Sequence, residues 1–128
     1  MEHRAISTDK ANPPAGPYSQ GIVWNSLVFT ASVAPRHPVF GIAAEGDVRA
    51  AARNALENIK AILEEAGSDL DHVLHVTLYI NDMEDYVPIN EVYATYFMGI
   101  RPARSLIRNG GPRGSCSFDA VGYVPTAT

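Results

Sequence analysis

Pro102-Ala103-Arg104-Ser105-Leu106-Ile107 sets one arginine in an otherwise uncharged run. Residues 103–107 alternate and branch like a strand with at least one covered face. A guanidinium buried there is costly unless something anionic pairs with it. Its planar fork of N–H donors suits a carboxylate or a phosphate better than any other partner. Either the chain supplies a carboxylate beside Arg104, or the site awaits one from a ligand.

Working outward from that strand, Ser115–Val124 reads as the last strand, reached through Asn109-Gly110-Gly111-Pro112-Arg113-Gly114, whose glycines serve a turn. No helix follows Gly110-Gly111, so a phosphate loop is not indicated. Upstream, Asp82 opens a helical stretch to Met98, with Val92, Tyr93, Tyr96 and Phe97 as its apolar stripe. Pro88 fits only within the first turn of that helix. Val73–Ile80 alternates and is β-branched, hence a strand. The strongest helix runs from an Asp47 N-cap to Gly67, with Val48, Ala52, Ala55, Leu56, Ile59, Ile62 and Leu63 at helical spacing. Before it lie a Pro/Gly loop with Pro35, Pro38 and Gly41, and two β-rich runs, Tyr18–Trp24 and Leu27–Val33, joined as a hairpin at Asn25-Ser26. His3–Ser7 reads as a short first strand. The order βββ-α-β-α-ββ predicts an α/β, two-layer domain: a mixed sheet with two helices on one face. The other face is left bare, and an apolar bare face is an oligomerisation surface.

The 128 residues make one domain, 1–128, with no repeat or linker. A net charge of −4 without a basic stripe argues against nucleic-acid binding. The single cysteine, Cys116, excludes an intrachain disulfide and fits a reducing cytosol. On a strand it reads as a small buried hydrophobe. The start lacks an apolar leader, and no run approaches the roughly 20 apolar residues of a membrane helix. The expectation is a cytoplasmic protein without membrane contact. His72 and His75, three apart on a strand, would face opposite sides and not share a metal. His3 and His37 read as exposed loop residues, and Tyr86, Tyr93 and Tyr96 as packing.

If the final two strands form a hairpin centred between Gly111 and Pro112, Arg104 and Asp119 stand opposite, each 7.5 positions from the centre (111.5 − 104 = 119 − 111.5). One reading is a cross-strand ion pair that satisfies both charges. In the other, Arg104 binds a substrate carboxylate while Asp119 orients or deprotonates a water.

Gly16-Pro17-Tyr18-Ser19-Gln20, Asn58-Ile59-Lys60-Ala61-Ile62-Leu63, Asn90-Glu91-Val92-Tyr93 with Tyr96-Phe97, and Pro102-Ala103-Arg104-Ser105 together resemble, in order and spacing, the Rid family of reactive-intermediate deaminases, also called the YjgF family. The resemblance runs from about Pro14 to Tyr123. It implies a chorismate-mutase-like fold assembled as a homotrimer, with sheets in a central barrel and a ligand cleft at each subunit interface. It also implies 2-iminobutanoate/2-iminopropanoate-type deaminase activity, hydrolysing 2-imino acids and their enamines to 2-oxo acids and ammonia without metal or organic cofactor. The ligand would be a small 2-imino or 2-oxo carboxylate.

Carried over by position, Arg104 matches the family's substrate-carboxylate arginine, Tyr18 a tyrosine lining the cleft, and Asn90 a polar side chain from the second helix. Asp119 falls near or at the glutamate that helps hold the attacking water, and the backbone carbonyl near Leu106 would be the water's second acceptor. Water needs placement more than activation, because a protonated imine carbon is already electrophilic.

The chain departs from the family pattern in several places. Thr30-Ala31-Ser32-Val33 stands where a Ser-Gly-Gln stretch is usual, so Ala31 and Ser32 would narrow or re-polarise the pocket. Asp119 is one methylene shorter than glutamate, and the last hairpin is about two residues shorter than usual. Leu106 gives an apolar pocket wall. Arg108 shares Arg104's strand face if alternation holds, and reads either as a solvated strand end or as a partner for a second carboxylate. The rival readings are a non-catalytic binder of small carboxylates and a deaminase for a larger substrate such as 2-aminomuconate. A nuclease reading is disfavoured by the acidic charge.

Overall fold

A computed structural model describes residues 2–32 and 35–126. Its strands are β1 (Arg4–Ile6), β2 (Gly21–Trp24), β3 (Leu27–Thr30), β4 (Arg36–His37), β5 (Gly41–Ile42), β6 (Val73–Ile80), β7 (Ala103–Arg108) and β8 (Cys116–Tyr123). The helices are α1 (Val48–Glu65) and α2 (Tyr86–Tyr96). Every element expected from the pattern is present, although the edges move inward. The upper end expected for the third strand, Val33, lies outside the described residues.

Local chemistry accounts for the boundaries. The Asp47 side chain accepts from Ala50 N at 3.0 Å and starts α1. At its end Gly67 adopts φ +90°, and the Ser68 and Gly67 amides return to the Leu63 and Glu64 carbonyls. Asn25, at φ 55°, makes the tight β2–β3 turn. Asp82 caps a single 3-10 turn, Met83–Asp85, which delays α2 to Tyr86 and puts Pro88 in its first turn.

Six strands form one mixed sheet in the order β1-β2-β3-β8-β6-β7, and β4 pairs with β5 in a separate ribbon. The ribbon occupies what the sequence suggested was loop. Two buried asparagines of α1 hold it: Asn54 Nδ2 donates to the Pro35 and Gly41 carbonyls, and Asn58 Nδ2 to that of Arg36. His37 is therefore buried on β4, not exposed in a loop.

Both helices cover one sheet face. Leu56, Ile59, Ile62 and Leu63 of α1 share a core with Val28, Val76, Leu78, Ile80 and Phe118, each large side chain contributing roughly 1.5–3 kcal/mol by burial. Trp24, Leu27, Phe29, Tyr123 and Ile107 lie on the opposite face, and all but Leu27 are at least a third exposed. The uncovered, largely apolar face expected from the element order is present.

The expected β7–β8 hairpin is not. β7 pairs parallel with β6, placing Arg104 beside Val76, and β8 pairs antiparallel with the other side of β6, placing Asp119 beside Thr77. The glycine-rich segment crosses the end of β6 instead of turning tightly. Asn109 N donates to Ile80 O at 2.9 Å, and Asn81 Nδ2 to Pro112 O at 3.2 Å.

Candidate functional site

Val76 and Thr77 are successive strand residues, so their side chains leave opposite faces of the sheet. Arg104 therefore projects on the helix side and Asp119 on the bare side, two strands away. Within one chain they do not form an ion pair, which removes the cross-strand salt bridge as the explanation of Arg104.

Arg104 lies between β7 and α2. Its Nη2 donates to the Tyr86 hydroxyl at 3.0 Å. Its guanidinium carbon sits 4.8 Å from the centroid of the Tyr93 ring and 5.6 Å from that of Tyr86. Tyr86, expected only to pack, thus holds the arginine through its hydroxyl. The ion pairs among the described residues use Arg49, His72 and Arg113 as cations, so Arg104 has no carboxylate within 4.0 Å there. One fork N–H is committed to Tyr86, and the others remain for an anion.

The space in front of Arg104 is a cavity of about 350 Å³ lined by Asn90, Tyr93, Ala94, Arg101, Pro102 and Arg104. Asn90 and Arg104, both singled out from the sequence, meet there. Arg101 was missed; its signal was a second arginine three positions before Arg104. Burial raises the pKa of Tyr93, and the positive charges of Arg104 and Arg101 partly oppose that rise. The Tyr93 hydroxyl is itself buried without a hydrogen-bond partner among the described residues. Leu106 and Arg108 pair with Leu78 and Ile80, which puts them on Arg104's face, and Leu106 is 39% exposed.

The other expected site residues lie elsewhere. Asp119 Oδ2 accepts from the Tyr79 hydroxyl at 2.7 Å, a bond that raises the tyrosine's pKa, with burial adding to it. Ser32 Oγ bonds Ser117 Oγ at 3.2 Å, and Ser32, Tyr79 and Ser117 line a separate cavity of about 250 Å³. The Ala31 amide donates to Gln20 O. Tyr18 is half exposed, just before β2, and its hydroxyl accepts from Ala15 N at 3.1 Å. From β2 to β7 the sheet crosses four strand spacings, about 19 Å. One chain thus carries two separate groups: Arg104, Asn90 and Leu106 toward the β7 edge, and Ser32 and Asp119 on the bare face, with Tyr18 toward the far edge.

The histidines do not gather for a metal. His72 bonds Asp69 Oδ1 at 2.6 Å from a 3-10 turn, whereas His75 lies on β6 with its Nε2 3.1 Å from Ser105 Oγ. Among the described residues no cluster of three or more His, Cys, Asp or Glu side chains is arranged to hold a metal ion. No helix there is long and apolar enough to cross a membrane.

The family model described as Endoribonuclease L-PSP matches residues 8–110. The chain belongs to this family, that of the RutC, YjgF and Rid proteins. A RutC family protein of Pyrococcus abyssi is 44% identical over 104 residues, covering 81% of this chain and 82% of that one. The 2-iminobutanoate/2-iminopropanoate deaminase of mouse is 37% identical over 113 residues, covering 88% and 84%. Among solved structures, E. coli TdcF with bound serine superposes with a TM-score of 0.85 at 35% identity, covering 94% of this chain and 98% of that one.

Proposed function

We propose that the protein hydrolyses 2-imino acids, and the enamines that tautomerise to them, to 2-oxo acids and ammonia. The observation that carries the reading is Arg104: a guanidinium aimed at a cavity, stacked on Tyr93, bonded to Tyr86, and without a carboxylate beside it among the described residues. Such a group is poised for an anion from outside. The mouse relative's name gives the chemistry, and the serine in TdcF, which carries a carboxylate and an α-nitrogen, is a molecule of suitable class.

In this reading Arg104 anchors the substrate carboxylate bidentately, and Asn90 bonds a neighbouring polar atom. Water adds to the protonated imine carbon and gives a proton to a carboxylate, which returns it to the nitrogen. The C–N bond then breaks, ammonia leaves, and the new hydroxyl loses its proton to the carboxylate to become the 2-oxo group. Asp119 is that carboxylate, contributed by a second copy. The separation of Tyr18 and Asp119 from Arg104, together with the uncovered apolar face, supports a site shared between copies in a homotrimer.

A second reading, a carboxylate-binding protein without hydrolysis, is favoured by the Tyr79–Asp119 bond, which engages one of the two carboxylate oxygens. One assay separates the two. 2-Iminopropionate is generated from serine with a dehydratase, and its decay is followed with and without the protein. The deaminase reading expects acceleration that Arg104→Ala abolishes. Unchanged decay with 2-oxobutyrate still bound would leave the binding reading.

A further inference from the structure

Arg101 shares the Arg104 cavity and has no counter-charge in it. None of the six lining residues is acidic. Its Nε donates to the Phe97 carbonyl at 2.9 Å, at the C-terminal end of α2. That bond satisfies a helix-end carbonyl and fixes the direction of the side chain. It uses the one inner N–H and leaves both Nη groups unspent. Like Arg104, Arg101 takes part in none of the ion pairs formed among the described residues.

We infer that this cavity is built for a 2-imino acid with a second carboxylate on its side chain, and that Arg101 is the specificity-determining residue that binds it. The inference rests on the reading of Arg104 as the anchor of the α-carboxylate. Two guanidiniums around one small space repel each other. A monoanion neutralises one of them, whereas a dianion neutralises both and gives each a charge-assisted partner. The size agrees: a space of about 350 Å³ is about 7 Å on a side if taken as a cube. A short dicarboxylate, with carbon–carbon bonds of about 1.5 Å, fits that span. The same pair of charges acts on the Tyr93 hydroxyl, so both lie within electrostatic range of a common point.

The test is calorimetric titration of the full chain with 2-oxoglutarate and with 2-oxohexanoate, which has similar length but a methyl end. The parent protein is expected to bind the dicarboxylate at least about tenfold more tightly, the worth of one charge-assisted hydrogen bond. Arg101→Gln is expected to bring the affinity ratio close to one. Arg101→Lys keeps the charge but not the fork, so it is expected to retain part of the preference. Equal affinities in the parent, or a ratio unchanged in Arg101→Gln, would overturn the inference about Arg101 while leaving the anchor standing. Parent protein that binds neither acid, or Arg104→Ala that binds both normally, would overturn the anchor as well.

Discussion

Replacing Arg104 by lysine keeps the charge and removes the fork. In the parent, Nη2 is engaged by Tyr86 at 3.0 Å, while the guanidinium stacks 4.8 Å from the Tyr93 centroid. A lysine ammonium reproduces much of the cation–π term, so the fold is expected to lose no more than about 1 kcal/mol, a shift of a few degrees in Tm. Ligand binding should fall much further. A bidentate grip gives a carboxylate two charge-assisted hydrogen bonds, and an ammonium makes one in its place. Losing a bond worth about 1.5–3 kcal/mol weakens binding by between roughly tenfold and a hundredfold. The assay pairs a thermal melt with calorimetric titration of 2-oxobutyrate. A lysine variant with parental Tm and a Kd within about twofold of the parent's would refute the bidentate reading, because it would show that charge alone suffices.

Other perturbations test neighbouring claims. Tyr86→Phe keeps the ring but removes the acceptor, and should weaken 2-oxo acid binding by a few-fold, in line with a hydrogen bond worth about 0.5–1.5 kcal/mol, at little cost in stability. Gly114→Ala places a Cβ 2.4 Å from the Gly46 Cα at φ +92°, backbone against backbone, and should lower the urea midpoint by the equivalent of about 2 kcal/mol or more. Burial lowers the pKa of His37 from 6.5. The unfolded chain therefore binds more protons between the folded value and 6.5, so stability should fall as pH drops through that window and level off below it. A His37→Asn variant measured by denaturant titration should lose that slope. If the site is shared, Arg104→Ala and Asp119→Asn chains, each inactive alone, should recover measurable imine hydrolysis when refolded together. A mixture as inactive as its components would place the whole reaction within one copy.

Much of the fold was written in local patterns. The apolar spacing of Val48 to Leu63, the Asp47 cap, the Asn25-Ser26 turn and the restriction on Pro88 are each set within a few residues, and each is found. Strand pairing is a non-local choice, and there the hairpin expectation failed. The β6–α2–β7 unit is a parallel crossover, so β7 takes one side of β6 and leaves β8 the other. The segment 109–115 then spans two strand spacings, about 10 Å, instead of the single spacing that a hairpin joins. The ribbon β4–β5 was hidden for a different reason: strands of two residues have no periodicity, and their hydrogen-bond partners are asparagines on a distant helix. Within the site, the sequence marked Arg104 and Asn90. It did not reveal Tyr86, because a tyrosine on an apolar helix face looks like packing until its hydroxyl has a partner.

The failed hairpin changes what Asp119 can mean. Opposite Arg104 it would have been the arginine's counter-ion, and Arg104 would have had no electrostatic reason to hold a ligand. On the other face, bonded to Tyr79 and two strands away, it leaves the guanidinium without a counter-ion among the described residues. The same displacement takes the acid out of reach of anything Arg104 holds in its own chain. If Arg104 anchors a carboxylate and Asp119 accepts a proton, the two, on opposite sides of one sheet, meet at a single substrate only where two sheets meet. The features that would bring them together are already in the monomer: β7 is an edge strand, and Trp24, Phe29, Ile107 and Tyr123 lie uncovered on the bare face. In the proposed reading, association that covers this apolar face would also complete the chemistry, and a substitution such as Phe29→Lys should cost assembly and hydrolysis together.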